Sequence, residues 1–138
     1  MTSNDERQGA VALIFDDSGD LLLHLRDDIP GITWPGYWSV LGGGCDPGES
    51  PRQAVERELF EEAGLVADEI TELFQVKDEL GSGQLITFFS ARWNGQPQLL
   101  PLSEGVELRF FPPERLPELR IPPYISAAIQ RVLAQYDQ

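Results

Sequence analysis

The chain has 138 residues, 41% apolar and 24% charged, proportions that suit one folded domain with an ordinary core and speak against disorder. Its 23 acidic residues outweigh 10 basic ones, giving a formal net charge of −13; this excludes a general binder of nucleic-acid backbone, which needs Lys and Arg to neutralise phosphates. No apolar run approaches the roughly 18–20 residues of a membrane span, the polar start "MTSNDERQGA" lacks the order of a secretion signal, and the lone Cys45 rules out an intrachain disulfide or a cysteine-built zinc site.

In chain order, "GAVALIFDD" and "DLLLHLRDD" read as strands joined by turn chemistry at "DSG", so a hairpin is expected. In the second strand Leu21, Leu23 and Leu25 alternate with Leu22, His24 and Arg26, which turns Arg26 away from the odd-numbered leucines. A loop rich in Pro, Gly and aromatics follows, and "WSVL" reads as a short strand running into "GGG". "ESPRQAVERELFEEAG" is the clearest helix: Ser50 suits the N-cap, Pro51 the first helical position, and Gly64 a left-handed C-terminus. "EITELFQVKDEL" and "QLITFFSARW" form an expected hairpin around "GSG", with a turn at "NGQ" after it. "GVELRFFP" reads as a last strand, "PERLPEL" as a short irregular or helical piece, and "PPYISAAIQRVLAQY" as a closing helix. Its Ile125, Ala128, Ile129, Val132 and Leu133 share one face. Strands, helix, strands, helix imply an α/β fold: one domain over residues 1–138 with a mixed sheet between two helices. The expected location is the cytoplasm, with no membrane and no nucleic-acid polymer as partner.

At about 100° per residue, Glu58, Glu61 and Glu62 fall within an arc of roughly 100° on the central helix, while Val55, Leu59, Ala63 and Phe60 lie mostly opposite. Glu58 and Glu62 are a like-charge i,i+4 pair costing about 0.2–0.5 kcal/mol. Glu61 and Glu62 sit at the negative end of the helix dipole, at about 0.3–1 kcal/mol each. A solvated acidic face can carry such costs. Clustered carboxylates on a rigid face also suit a hard divalent ion.

The spacing upstream bears on that choice. In "GGCDPGESPRQAVERELFEEAGL", five residues separate Gly43 from Glu49 and seven separate Glu49 from Arg57; Glu58, Leu59, Glu61, Glu62, Gly64 and Leu65 follow. This resembles the Nudix box, G-x5-E-x7-R-E-U-x-E-E-x-G-U with U aliphatic. Nine fixed positions are filled across Gly43 to Leu65, one-sixth of the chain.

The resemblance implies a Nudix-type α/β/α sandwich with the box helix on one side of the sheet and the C-terminal helix on the other. It implies hydrolysis of a phosphoanhydride in a nucleoside diphosphate linked to another group, X, with Mg2+ as cofactor and Mn2+ as a substitute. Carried over, Glu58, Glu61 and Glu62 become metal ligands, joined by the carbonyl of Gly42 or Gly43. Glu49 and Arg57 become the ion pair that ties loop to helix; otherwise they are a surface pair worth at most about 1 kcal/mol. With Gly43 and Gly64 they form the box's structural positions. Candidates for the general base are Glu61 within the box, with Glu58 beside it, and Glu104 and Glu107 before the last strand, where the alternative is an exposed loop acid. Arg26 resembles a phosphate-binding arginine and is otherwise a surface one. Trp34, Tyr37, Trp38 and Phe89 could stack on a base, or could serve the core and loops.

One position departs from the common pattern: Leu41 stands where many members carry proline, which touches the loop's shape and not its ligands. Marks of the ADP-ribose, dinucleoside-polyphosphate and coenzyme A branches are missing, which leaves a (deoxy)nucleoside triphosphate, oxidised forms included, as the expected small phosphorylated partner. A homodimer stays open. So does a catalytically silent nucleotide-binding or regulatory module on the same fold. Isoprenoid diphosphate isomerisation, a third chemistry on that fold, uses a cysteine, and Cys45 is wrongly placed for it.

Overall fold

Ala10 to Ile14 are all buried because strand β1 (Gln8–Phe15) lies inside a sheet that is covered on both faces. The computed structural model describes residues 7–136. It adds β2 (Leu21–Leu25), β3 (Trp38–Ser39), β4 (Leu41–Gly44), α1 (Pro51–Ala63), β5 (Asp68–Lys77), β6 (Leu85–Arg92), β7 (Glu107–Phe111) and α2 (Pro123–Tyr136). Short 3-10 turns at Pro97–Leu99 and Pro113–Glu118 flank β7. The sheet runs β3-β2-β1-β6-β5, with β4 also paired to β1 and β7 to β2. β1 and β6 are parallel and the other pairs antiparallel, so the sheet is mixed as expected.

The residues of β1 part to the two faces by their alternation. Ala10, Ala12 and Ile14 join Leu22, Leu41 and Phe89 under Ala54, Val55, Leu59 and Ala63 of α1. Val11 and Leu13 join Leu21, Leu23, Phe88 and Phe111 under Ile125, Ala128, Ile129 and Val132 of α2. The three layers are the α/β/α sandwich. Each fully buried Leu or Phe contributes about 1.5–3 kcal/mol, so the two helices are held by apolar contact and not by their own propensity.

The ends of α1 are fixed by its sequence. The Ser50 hydroxyl accepts from the Gln53 N–H at 3.1 Å, and the Gln53 side chain accepts from the Ser50 N–H at 2.9 Å, a reciprocal capping box. Gly64 takes the left-handed conformation (φ 64°), with its N–H on Phe60 O and the Leu65 N–H on Leu59 O.

Three expectations are corrected. The β1–β2 hairpin pairs only at its tip, Phe15 with Leu21, because β1 spends its ladder on β4 and β6 while β2 pairs with β7. The strand expected over "WSVL" breaks at Val40: Trp38–Ser39 pairs with β2, whereas Leu41–Gly44 pairs with β1 and the glycine run is itself a strand. Phe60 is 63% exposed, since one step beyond Leu59 carries it off the buried stripe.

Candidate active site

Strand β4 and helix α1 meet along the acidic face. A Cβ on Gly43 would lie 2.7 Å from the Glu58 carboxyl, and one on Gly42 (φ 147°) would collide with the Ala10 carbonyl. Glycine at both positions lets the strand backbone lie directly against the carboxylates. The Gly42 N–H donates to Glu62 Oε1 at 3.0 Å, which fixes Glu62 across that gap.

Arg57 ties the face together. Its Nε and Nη2 bind both oxygens of Glu49, at 2.8 and 2.9 Å, and Nη2 also donates to the Gly44 carbonyl at 3.0 Å. Nη1 reaches Glu58 Oε2 and Glu61 Oε1, each at 3.0 Å. The guanidinium fork therefore joins loop, strand and helix. Its hydrogen bonds, with one from the Asp46 N–H, pull the Glu49 carboxyl down to about 2.

The other acids feel the opposite force. Burial, reinforced by the charges of Glu58 and Glu104, pushes Glu62 up to about 8 against the pull of the Gly42 N–H. Burial also raises Glu58, with Glu61 and Glu104 adding repulsion and Arg57 opposing it. The face is short of positive charge.

These acids open on a cleft of about 600 Å³, a size that takes a small ligand. Glu58, Glu61, Glu62, Gly42, Gly43, Glu104 and Arg26 all line it. Arg26 is steered there by the alternation of β2 and held by its Nε on the Thr33 carbonyl at 2.7 Å. Two expected residues lie elsewhere. Trp38 packs edge-on against Phe111 beneath Arg109, and Glu107 is ion-paired to Arg109 at 2.8 Å; neither lines the cleft. Of the other aromatics, Phe89 is buried in the core and Tyr37 lies under Arg120. Trp34 (φ 51°) donates from its indole N–H to Asp78, 3.3 Å from either oxygen.

The cleft also holds residues the sequence did not announce: Ser39, Asp78, Ser82, Gln84 and Tyr124. They come from β3, the β5–β6 turn and the start of α2. No local spacing marks them, because only the tertiary fold brings them together. Asp78 is buried and accepts from the Ser82 N–H and hydroxyl at 2.8 and 3.1 Å, which shapes the turn that carries Gln84.

A model of the NUDIX domain matches residues 5–132. The chain belongs to the Nudix family. It is 30% identical over 118 residues to a Bacillus subtilis (strain 168) protein whose name proposes 8-oxo-dGTP diphosphatase activity, a match covering 83% of this chain and 72% of that one. It is 44% identical over 68 residues to the nucleoside triphosphatase NudI of Escherichia coli (strain K12), across 48% of this chain and about half (47%) of that protein. The NUDIX domain of Shewanella oneidensis NrtR, solved with ADP ribose, superposes with a TM-score of 0.78 at 20% identity, over 97% of this chain and 90% of that one. The protein is thus a Nudix hydrolase, and the family generally uses a divalent metal.

The donor set of this Nudix helix fits a hard divalent cation in kind: carboxylate and backbone oxygens only, on a face short of positive charge. The three acids are not gathered on one point in this arrangement. Among the described residues no three acidic, histidine or cysteine side chains converge enough to hold an ion as they stand. Glu58 and Glu61 are turned onto Arg57 Nη1.

This gives Arg57 a measurable task. Arg57→Lys keeps the charge but loses the planar fork. It is expected to lower kcat/KM about 10–100-fold, the usual loss for a residue that orients metal ligands, with the melting temperature close to wild type. Steady-state hydrolysis and a thermal melt check this.

Proposed function

We propose that the protein hydrolyses a phosphoanhydride of a nucleoside or deoxynucleoside triphosphate, oxidised forms included, with Mg2+ held by Glu58, Glu61 and Glu62 and the carbonyl of Gly42 or Gly43. The observation that carries this reading is the cleft that three box carboxylates line, with Glu58 and Glu62 against glycine backbone and Glu62 pushed up to about 8 by burial and the charges of Glu58 and Glu104. The names of the Bacillus and Escherichia relatives support the triphosphate class.

The ion, when bound, neutralises phosphate oxygens and lowers the pKa of water. The chain's own groups do the rest. Arg26, which lines the cleft, offers a guanidinium for a phosphate. Arg57 and Glu49 hold the loop on the helix. Glu104 is the group we assign to take the proton of the attacking water: it lines the cleft with Glu58 and Glu62, and its charge acts on both. Among the described residues no basic side chain forms an ion pair with it, whereas Glu61 is engaged by Arg57. The remainder of the cleft, with Ser39, Ser82, Gln84 and Tyr124, offers uncharged polar groups to the nucleoside.

The test is a panel of canonical and oxidised nucleoside triphosphates, ADP-ribose and dinucleoside polyphosphates, assayed with Mg2+ and read by phosphate and pyrophosphate release. Turnover concentrated in the triphosphates is expected. Tight nucleotide binding in a calorimeter with no turnover of any compound would instead identify a silent binding module.

A further inference from the structure

The segment from Ser103 to Val106 is a surface connection before β7, yet each of its four residues is tied by hydrogen bonds. The Ser103 N–H donates to Glu62 O at 2.8 Å and its hydroxyl to Glu61 O at 3.1 Å, which occupies carbonyls left open at the end of α1. The Gly105 N–H donates to Asp27 Oδ2 at 3.2 Å, and the Val106 N–H to Leu25 O at 2.8 Å. Between them the Glu104 carbonyl lies 2.9 Å from Nε2 of His24. A carbonyl oxygen only accepts, so Nε2 carries the proton.

His24 is 4% exposed and takes no part in the chemistry assigned above. It lies on the α1-facing side of β2 with Leu22 and Arg26. Its ring is pressed so closely by the segment that a Cβ on Gly105 (φ 85°) would collide with Nε2. A connecting loop ordinarily has looser ties than this. On the segment's own side every tie is made by backbone or by Ser103, and the polar side chain left over is that of Glu104, which lines the cleft.

We infer that His24 is a positioning residue: with Asp27 it clamps the 103–106 segment between β2 and the end of α1 so that the Glu104 carboxylate is held over the acidic face. This rests on the reading that Glu104 takes the proton. The clamp matters because a proton acceptor displaced by an ångström loses much of its rate advantage.

The test compares three single variants in steady-state kinetics on the best triphosphate substrate. His24→Leu removes the donor at similar bulk, His24→Gln returns an N–H near the position of Nε2, and Asp27→Ala releases the other tie without opening the core. We expect His24→Leu to lower kcat about 10–100-fold, in the range of lost orienting partners, with KM within about threefold. His24→Gln should regain most of the rate, and Asp27→Ala should lose rate in the same direction. In a Glu104→Gln background the His24→Leu and Asp27→Ala changes should have no further effect, because a group acting through Glu104 has nothing left to position. Wild-type kcat in folded His24→Leu overturns the inference, as does an undiminished loss in the Glu104→Gln background. If His24→Leu does not fold, Asp27→Ala decides by the same two criteria. Wild-type kcat in Glu104→Gln itself overturns the proton-transfer assignment instead, and amide exchange at Gly105 and Val106 in His24→Leu then reads the clamp directly: faster exchange supports it and unchanged exchange overturns it.

Discussion

Glu62→Gln is expected to cost about 1,000-fold or more in kcat while making the ion-free protein more stable at pH 8. The loss follows from removing one carboxylate of the proposed metal face, where charge stabilisation is worth several kcal/mol. The gain follows from the same residue. Burial and the charges of Glu58 and Glu104 push the Glu62 carboxyl up from its ordinary 4.5 to about 8 in the folded chain. A folded-state pKa raised above the unfolded one means that the proton stabilises the fold fully below about 4.5, and that this support is lost as pH rises toward 8 and beyond. Ion-free wild type should therefore melt at a lower temperature at pH 8.5 than at pH 6. Glutamine keeps an oxygen for the Gly42 N–H and removes the titration, so the variant should melt a few degrees higher than wild type at pH 8.5, the size of about 1–2 kcal/mol in a domain of this length. Mg2+ binding to wild type must displace the same proton, so its apparent affinity should rise with pH and level above about 8. Melts at two pH values and Mg2+ calorimetry at three check the whole set. An activity loss without the pH-dependent gain in stability would contradict the electrostatic account of this face.

Glu104→Gln carries the second large effect. Loss of a positioned general base costs about 100- to 10,000-fold in kcat, and because Glu104 is not among the assigned ligands, Mg2+ affinity should stay within a few-fold. Glu61→Gln is the control from within the box. Glu61 is 58% exposed and shared with Arg57, which suits a ligand that swings in more than a base held in place. A full rate in Glu104→Gln with a collapsed rate in Glu61→Gln would move the proton transfer to Glu61.

The parts of this site that local chemistry dictates were legible in the chain. The capping box, Gly64 and the apolar stripe of α1 act within a few residues, so the helix and the arc of its acids could be placed before any fold was known. The Glu49–Arg57 pair was legible through its spacing, and its geometry adds that the same guanidinium also restrains Glu58 and Glu61. Non-local pairing was not legible. Nothing in "GAVALIF" says that it will choose β4 and β6 over its hairpin neighbour, since all three present compatible backbone edges and only the assembled layers decide. The aromatics misled for the same reason. Trp38 and Phe89 have the right chemistry to stack on a base, but the sheet turns them into apolar layers, and Tyr124, at the start of α2, is a ring that lines the cleft. Glu107 differs from Glu104 by three residues, enough to put it on β7 beside Arg109 and out of the cleft. Arg26 shows the converse: strict alternation along β2 was sufficient to aim it.

The central claim is that the carboxylates of α1, now turned partly onto Arg57, gather around a divalent ion. Mn2+ titration of the purified protein at pH 8, read by the electron paramagnetic resonance of free Mn2+, tests it most directly when wild type is compared with Glu58→Gln and Glu62→Gln. The account predicts binding in wild type that weakens at least about 10-fold in each variant. Equal Mn2+ affinity in all three proteins would contradict it.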